Sequence, residues 1–145
     1  MKKTIVATAT ILLSVFLVFS AGYADDLSDE GKIQIEKAKL MMEKAKLMME
    51  FKGEDKPSMV DMGQSMHKEG ADMMHLGMTM KTPIGTKNLQ SMGSKMMRNG
   101  SLLQKKGRKK GAIADKDIKK INKKGKNMMG FAERMLEGGK MMGGN

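Results

Sequence analysis

The chain has 145 residues, 20 methionines, no cysteine, 3% aromatic residues and a formal net charge of +11. That length suits one domain with a modest core, and zero cysteine excludes disulfide staples, thiolate metal sites and haem attachment through Cys-x-x-Cys-His. A core so poor in aromatic and β-branched residues has to be built from Met, Leu and Ala, with methionine as the adaptable filler.

Residues 1–24 read as a secretory signal peptide. Lys2 and Lys3 form the charged start, Ile5 to Phe19 the apolar run, and Gly22-Tyr23-Ala24 the small-residue cleavage site. The run is short for a membrane span, and no cysteine follows it, so a lipid anchor is not expected. The segment has a bacterial form, which makes the periplasm or the outside of the cell the expected address. Without Lys2 and Lys3 the net charge is +9, from 25 basic and 16 acidic residues.

Residues 36–50 read EKAKLMM EKAKLMM E, a heptad written twice. Counted from its small residue, the unit is a small residue, two variable positions and two methionines. It returns at Gly63, Gly70, Gly93, Gly100, Gly125 and Ala132, with looser copies at Gly31, Gly77, Gly107 and Gly139. The copies form four tracks, 31/38/45, 63/70/77, 93/100/107 and 125/132/139, each in register within itself. A heptad repeat is a helix signal, and the small position with the methionines three and four later makes one apolar stripe with a groove along it. Glycine inside a helix costs roughly 1 kcal/mol relative to alanine, so its use at one heptad position implies close backbone approach between helices.

In chain order, Ser28 and the acids around it cap a first helix over about 27–52. Its second ridge, Ile33, Leu40, Leu47 and Phe51, predicts two buried faces or a dimer contact with a second copy. Gly53 to Pro57 breaks the chain, with Gly53 as helix terminator, and a second helix runs over about 57–80. Lys81 to Gly85 is the next break. A third helix covers about 86–106, a basic turn follows, and Asp115 caps a fourth helix over about 115–137. Residues 138–145 read as a flexible tail. The expected fold is all-α: four amphipathic helices in an antiparallel up-down bundle, within one domain over 25–145. Two hairpins completed by dimerisation are the rival arrangement.

The second helix holds seven methionines between Met59 and Met80, and both histidines of the protein. Thioether sulfur is a soft, neutral ligand that selects Cu(I), and by the same softness Ag(I), over harder ions. Helical spacing pairs Met62 with Met66, Met74 with Met78, and His75 with Met78. His67 lies two turns before Met74, too far along a straight helix for the two to share an ion. Met62, Met66, His67, Met74, His75 and Met78 are therefore the candidate metal ligands. His75-Leu76-Gly77-Met78 and Met59-Val60-Asp61-Met62 have the His-x-x-Met and Met-x-x-Met forms, and here the chain resembles the Met- and His-rich periplasmic proteins of bacterial copper and silver resistance. The resemblance implies binding, buffering or delivery of Cu(I) or Ag(I). The methionines of the other helices, Met41, Met42, Met48, Met49, Met96, Met97, Met128 and Met129, are read as core.

Charge is uneven. Residues 25–75 carry 12 acids and 8 bases, whereas residues 95–126 carry 13 bases and only Asp115 and Asp117. A solvated face explains most of such a run. A competing function is a non-catalytic interaction bundle, docking on an anionic membrane surface or acidic protein through Lys105, Lys106, Arg108, Lys109 and Lys110. No aromatic residue interleaves the basic ones, so a nucleic-acid partner is not expected. A third reading, a methionine oxidation sink, requires many solvent-accessible thioethers. No nucleophile-base or paired-carboxylate arrangement stands out, and the Glu-x-x-His element of di-iron bundles is missing, so no enzyme activity is expected.

Overall fold

Three of the four helix starts are written in short-range hydrogen bonds. Ser28 Oγ accepts from Gly31 N at 3.1 Å, Asp55 Oδ1 from Ser58 N at 3.0 Å, and Thr82 Oγ1 from Gly85 N at 3.1 Å. Pro57 and Pro83 stand in the first turns of the second and third helices, where a missing N–H costs nothing. The computed structural model describes residues 28–142, with helices α1 (Asp29–Glu50), α2 (Lys56–Gly77), α3 (Pro83–Gly107) and α4 (Asp115–Lys140). The signal-peptide assignment lies outside the described residues. Within them the fold is the expected antiparallel bundle, without strands.

Boundaries differ from expectation where the physics is non-local. α3 starts at Pro83 rather than near Thr86, because Thr82 supplies the cap. The cap of α4 is Ala114, with no side-chain hydrogen bond, and Asp115 is its first helical residue. α1 stops at Glu50 before Gly53 is reached. Its last carbonyls are held by another helix, since Asn122 Nδ2 of α4 donates to the carbonyls of Met48 (2.9 Å), Met49 (2.9 Å) and Phe51 (3.0 Å). Gly53 still has a special role: its φ is +92°, and a side chain there would meet Ile118. Residues 138–140, assigned to a flexible tail, continue α4, because Gly139 is buried against Gly31 and the Ile35 side chain. Residues 143–145 of that tail lie outside the described part.

The small-residue tracks pair the helices. α2 packs against α3 and α1 against α4, while contact between the two pairs is thinner. In the first pair Gly63 meets Gly100 and Gly70 meets Gly93, each glycine facing the carbonyl of the other. A Cβ on Gly63 would lie 2.6 Å from Gly100 O, and one on Gly100 would lie 2.5 Å from Gly63 O. In this one register the two tracks are offset by a heptad, so the outer glycines lack a glycine partner: Gly77 faces Thr86 and Gly107 faces Lys56 and Val60. In the second pair Gly31 faces Gly139 and Gly125 faces Ala45, and the alanines midway along both tracks, Ala38 and Ala132, are fully buried. All-glycine tracks thus pair with each other, and so do the two tracks that contain alanine.

Between these pairs lies a methionine core. Met41, Met48, Met59, Met66, Met73, Met92, Met96 and Met128 are buried, joined by Leu89, Leu103 and Ile121. One polar group enters it. Gln34 Nε2 donates to Met135 O at 2.7 Å and its Oε1 accepts from Asn88 Nδ2 at 3.0 Å, which ties α1 to α4 and α3 with both ends of the amide satisfied. The second ridge of α1 is largely covered, with Ile33, Leu40 and Phe51 against the core and Leu47 exposed. Where a methionine doublet falls within a helix, the first member faces the core. The second, turned about 100°, reaches only the flank: Met42 and Met129 are half-buried, and Met49 is exposed.

A candidate soft-ligand groove on the α2–α3 face

Met74 and Met97 owe their positions to two glycines. Because Gly93 has no side chain, Met74 of α2 lies over it, its Cγ 2.7 Å from the place a Cβ would take. Because Gly70 has none, Met97 of α3 does the same from the opposite direction, also with Cγ at 2.7 Å. Helical side chains lean toward their own N-termini, so on antiparallel helices the two thioethers lean toward each other above the Gly70–Gly93 contact. His67, half-buried, shares with them an open groove of about 470 Å³ that Ser94, Arg98 and Ser101 complete.

The groove is thus lined by His67 and Met74, two turns apart on α2, and by Met97 from the neighbouring helix. Met97, whose place in a doublet predicts a core position, is half-buried and walls the groove instead. Only the partner track of α3, read against that of α2, reveals it. The other candidates are dispersed. Met66 is fully buried in the core and Met62 packs against it. His75 is exposed, and Met78 follows α2 as its cap residue, 68% exposed, at the bundle end that also exposes Ile84 and Met141.

Chemically, the groove offers two thioethers, one imidazole, two hydroxyls and one guanidinium, with no carboxylate among its lining residues. Hard divalent cations need anionic oxygen ligands, and Arg98 adds repulsion that grows with ion charge. Among the described residues, no three His, Asp or Glu side chains gather into a conventional cation site. A singly charged soft ion suits the donor set best.

The basic residues named from the sequence divide as well. Lys106 is half-buried and bound to Asp117 at 2.7 Å, a hydrogen bond that holds the Asp117 carboxyl below its usual range. Lys109 and Lys110 stand exposed in the α3–α4 connection, which Lys56 pins through the carbonyls of Lys109 and Gly111. Lys105 and Arg108 line a second groove beside the first. None of the helices among the described residues is long and apolar enough to cross a membrane. No family model matches the chain, and neither the curated proteins nor the solved structures give a match.

Proposed function

We propose that this bundle binds Cu(I) or Ag(I) in the periplasm through the thioethers of Met74 and Met97, with His67, two turns from Met74, as an alternative ligand beside Met97 in the same groove, to buffer or hand on the ion. The observation that carries the reading is that these three soft donors, from two helices, line one groove, with Met74 and Met97 seated over the Gly70–Gly93 contact. The glycine contacts beneath keep both thioethers over the helix seam, so binding requires little rearrangement of the backbone. His75 and Met78, exposed at the end of α2, form a secondary pair that can pass an ion onward by ligand exchange. The eight buried core methionines take no part. Their burial also weighs against an oxidation sink, which needs accessible thioethers.

The test is anaerobic Cu(I) titration of the protein against a competing chelator. A Met74→Leu/Met97→Leu variant keeps the volume over the seam and removes both sulfurs. Its affinity is expected to fall by more than the roughly 10–100-fold that outer-sphere changes cost, with helicity by circular dichroism unchanged. His75→Ala/Met78→Leu is expected to retain tight binding. Unchanged affinity in the first variant rejects the groove; absence of Cu(I) binding by the unaltered protein rejects the metal function.

A further inference from the structure

Beside the soft groove, toward the α3 C-terminus, lies an open groove of about 630 Å³. Lys68 of α2, Lys105 of α3 and Arg108, the residue that caps α3, supply three cations, and Gln64, Ser101 and Gln104 line the groove with them. No carboxylate lines it, and among the described residues none of the three cations takes part in an ion pair. Neighbouring Lys106, by contrast, is already neutralised by Asp117. Arg108 is oriented: its Nη2 donates to Gln104 Oε1 at 3.1 Å, which leaves the other guanidinium donors for a guest. α3 carries no Asp or Glu along its length, so its own helix adds no opposing charged side chain.

We propose that this groove binds a phosphate monoester carried on a polar, sugar-sized body. Three cations match a group with a charge of roughly −1.5 to −2 at neutral pH, and an arginine held by a neighbouring amide presents donors that suit phosphate oxygens. The groove exceeds what one inorganic phosphate fills, and the glutamine amides and the serine hydroxyl offer both donors and acceptors for hydroxyls. No Phe, Tyr or Trp lines the groove, so a nucleobase would find only the edge residue His67 to stack on, which argues for a sugar rather than a nucleotide. The site uses different charged residues from the soft-ion groove and does not depend on metal binding; His67 and Ser101 border both.

The experiment measures binding of glucose 6-phosphate by calorimetry at low salt, and in parallel binding to vesicles containing phosphatidic acid, which carries the same group on a lipid. The groove variant is Lys68→Gln/Lys105→Gln/Arg108→Gln. The control is Lys119→Gln/Lys120→Gln/Lys123→Gln, which removes equal charge from exposed positions of α4. Loss of charge-assisted hydrogen bonds is expected to weaken binding at least about tenfold in the groove variant, against less than about twofold in the control. That pattern with glucose 6-phosphate is the expected result; the same pattern with vesicles alone places the phosphate on a lipid and overturns the sugar-sized body. Equal losses in both variants, or no binding to either probe, overturn the proposal.

Discussion

Gly70 and Gly93 face each other across the α2–α3 seam so closely that a Cβ on Gly70 would stand 2.6 Å from the carbonyl oxygen of Gly93. The obstacle is backbone, which cannot rotate aside, and Met97 Cγ waits at 2.7 Å behind it. Gly70→Ala therefore sets an overpacking cost of about 1–3 kcal/mol, at its upper end here, against a propensity gain of about 1 kcal/mol. The net expectation is a loss of about 2 kcal/mol in chemical denaturation. Gly130, on the outer side of α4, meets only Arg134 Nη1 at 4.0 Å. Gly130→Ala is expected to stabilise by up to about 1 kcal/mol. If both substitutions stabilised, the seam would not be a close backbone contact.

Asn122 closes α1 from outside by donating to three carbonyls near its C-terminus. The last turn of α1 contains no basic residue, and no glycine cap follows it directly, so nothing local replaces this contact. Asn122→Ala is expected to cost about 1–2 kcal/mol. Asn122→Asp should be worse, since a carboxylate would face carbonyl oxygens with no hydrogen to offer. Amide exchange with chemical denaturation checks both, with the fastest opening expected in residues 46–50. A stability equal to the unaltered protein would show that water caps α1 equally well.

Glu30 connects the start of α1 to the start of α3. Its carboxylate accepts from the Thr82 hydroxyl, and from the amides of Lys81 and Thr82. The Thr82 hydroxyl contributes most to holding its pKa below the ordinary 4.5, with the two amides adding to it and desolvation opposing. A carboxylate with a lowered folded pKa stabilises at pH above its unfolded value, and the contribution disappears as pH falls through the folded one. Thermal unfolding should show the unaltered protein above Glu30→Gln at neutral pH, with the two converging once the pH has dropped below the ordinary carboxylate range. A constant gap down to strong acid would exclude the carboxylate as its source.

The heptad by itself determined that residues 28–142 are helical, where the four helices described there lie to within a few residues, and which positions are small and which are methionine. Those are short-range properties: seven residues return the chain to one face, and Ser28, Asp55 and Thr82 satisfy amides only three residues on. Tertiary structure decided the rest, because four tracks built on one rule could each pair with any other. Pairing by closest approach put glycine against glycine in α2–α3 and alanine with alanine-containing tracks in α1–α4. It brought Met97 to Met74 and His67, sent Met66 into the core and consumed Lys106 in an ion pair, while Lys68 joined Lys105 and Arg108 from another helix. Each of these depends on a register between residues far apart in sequence, and periodicity within one helix carries no record of the helix across the seam.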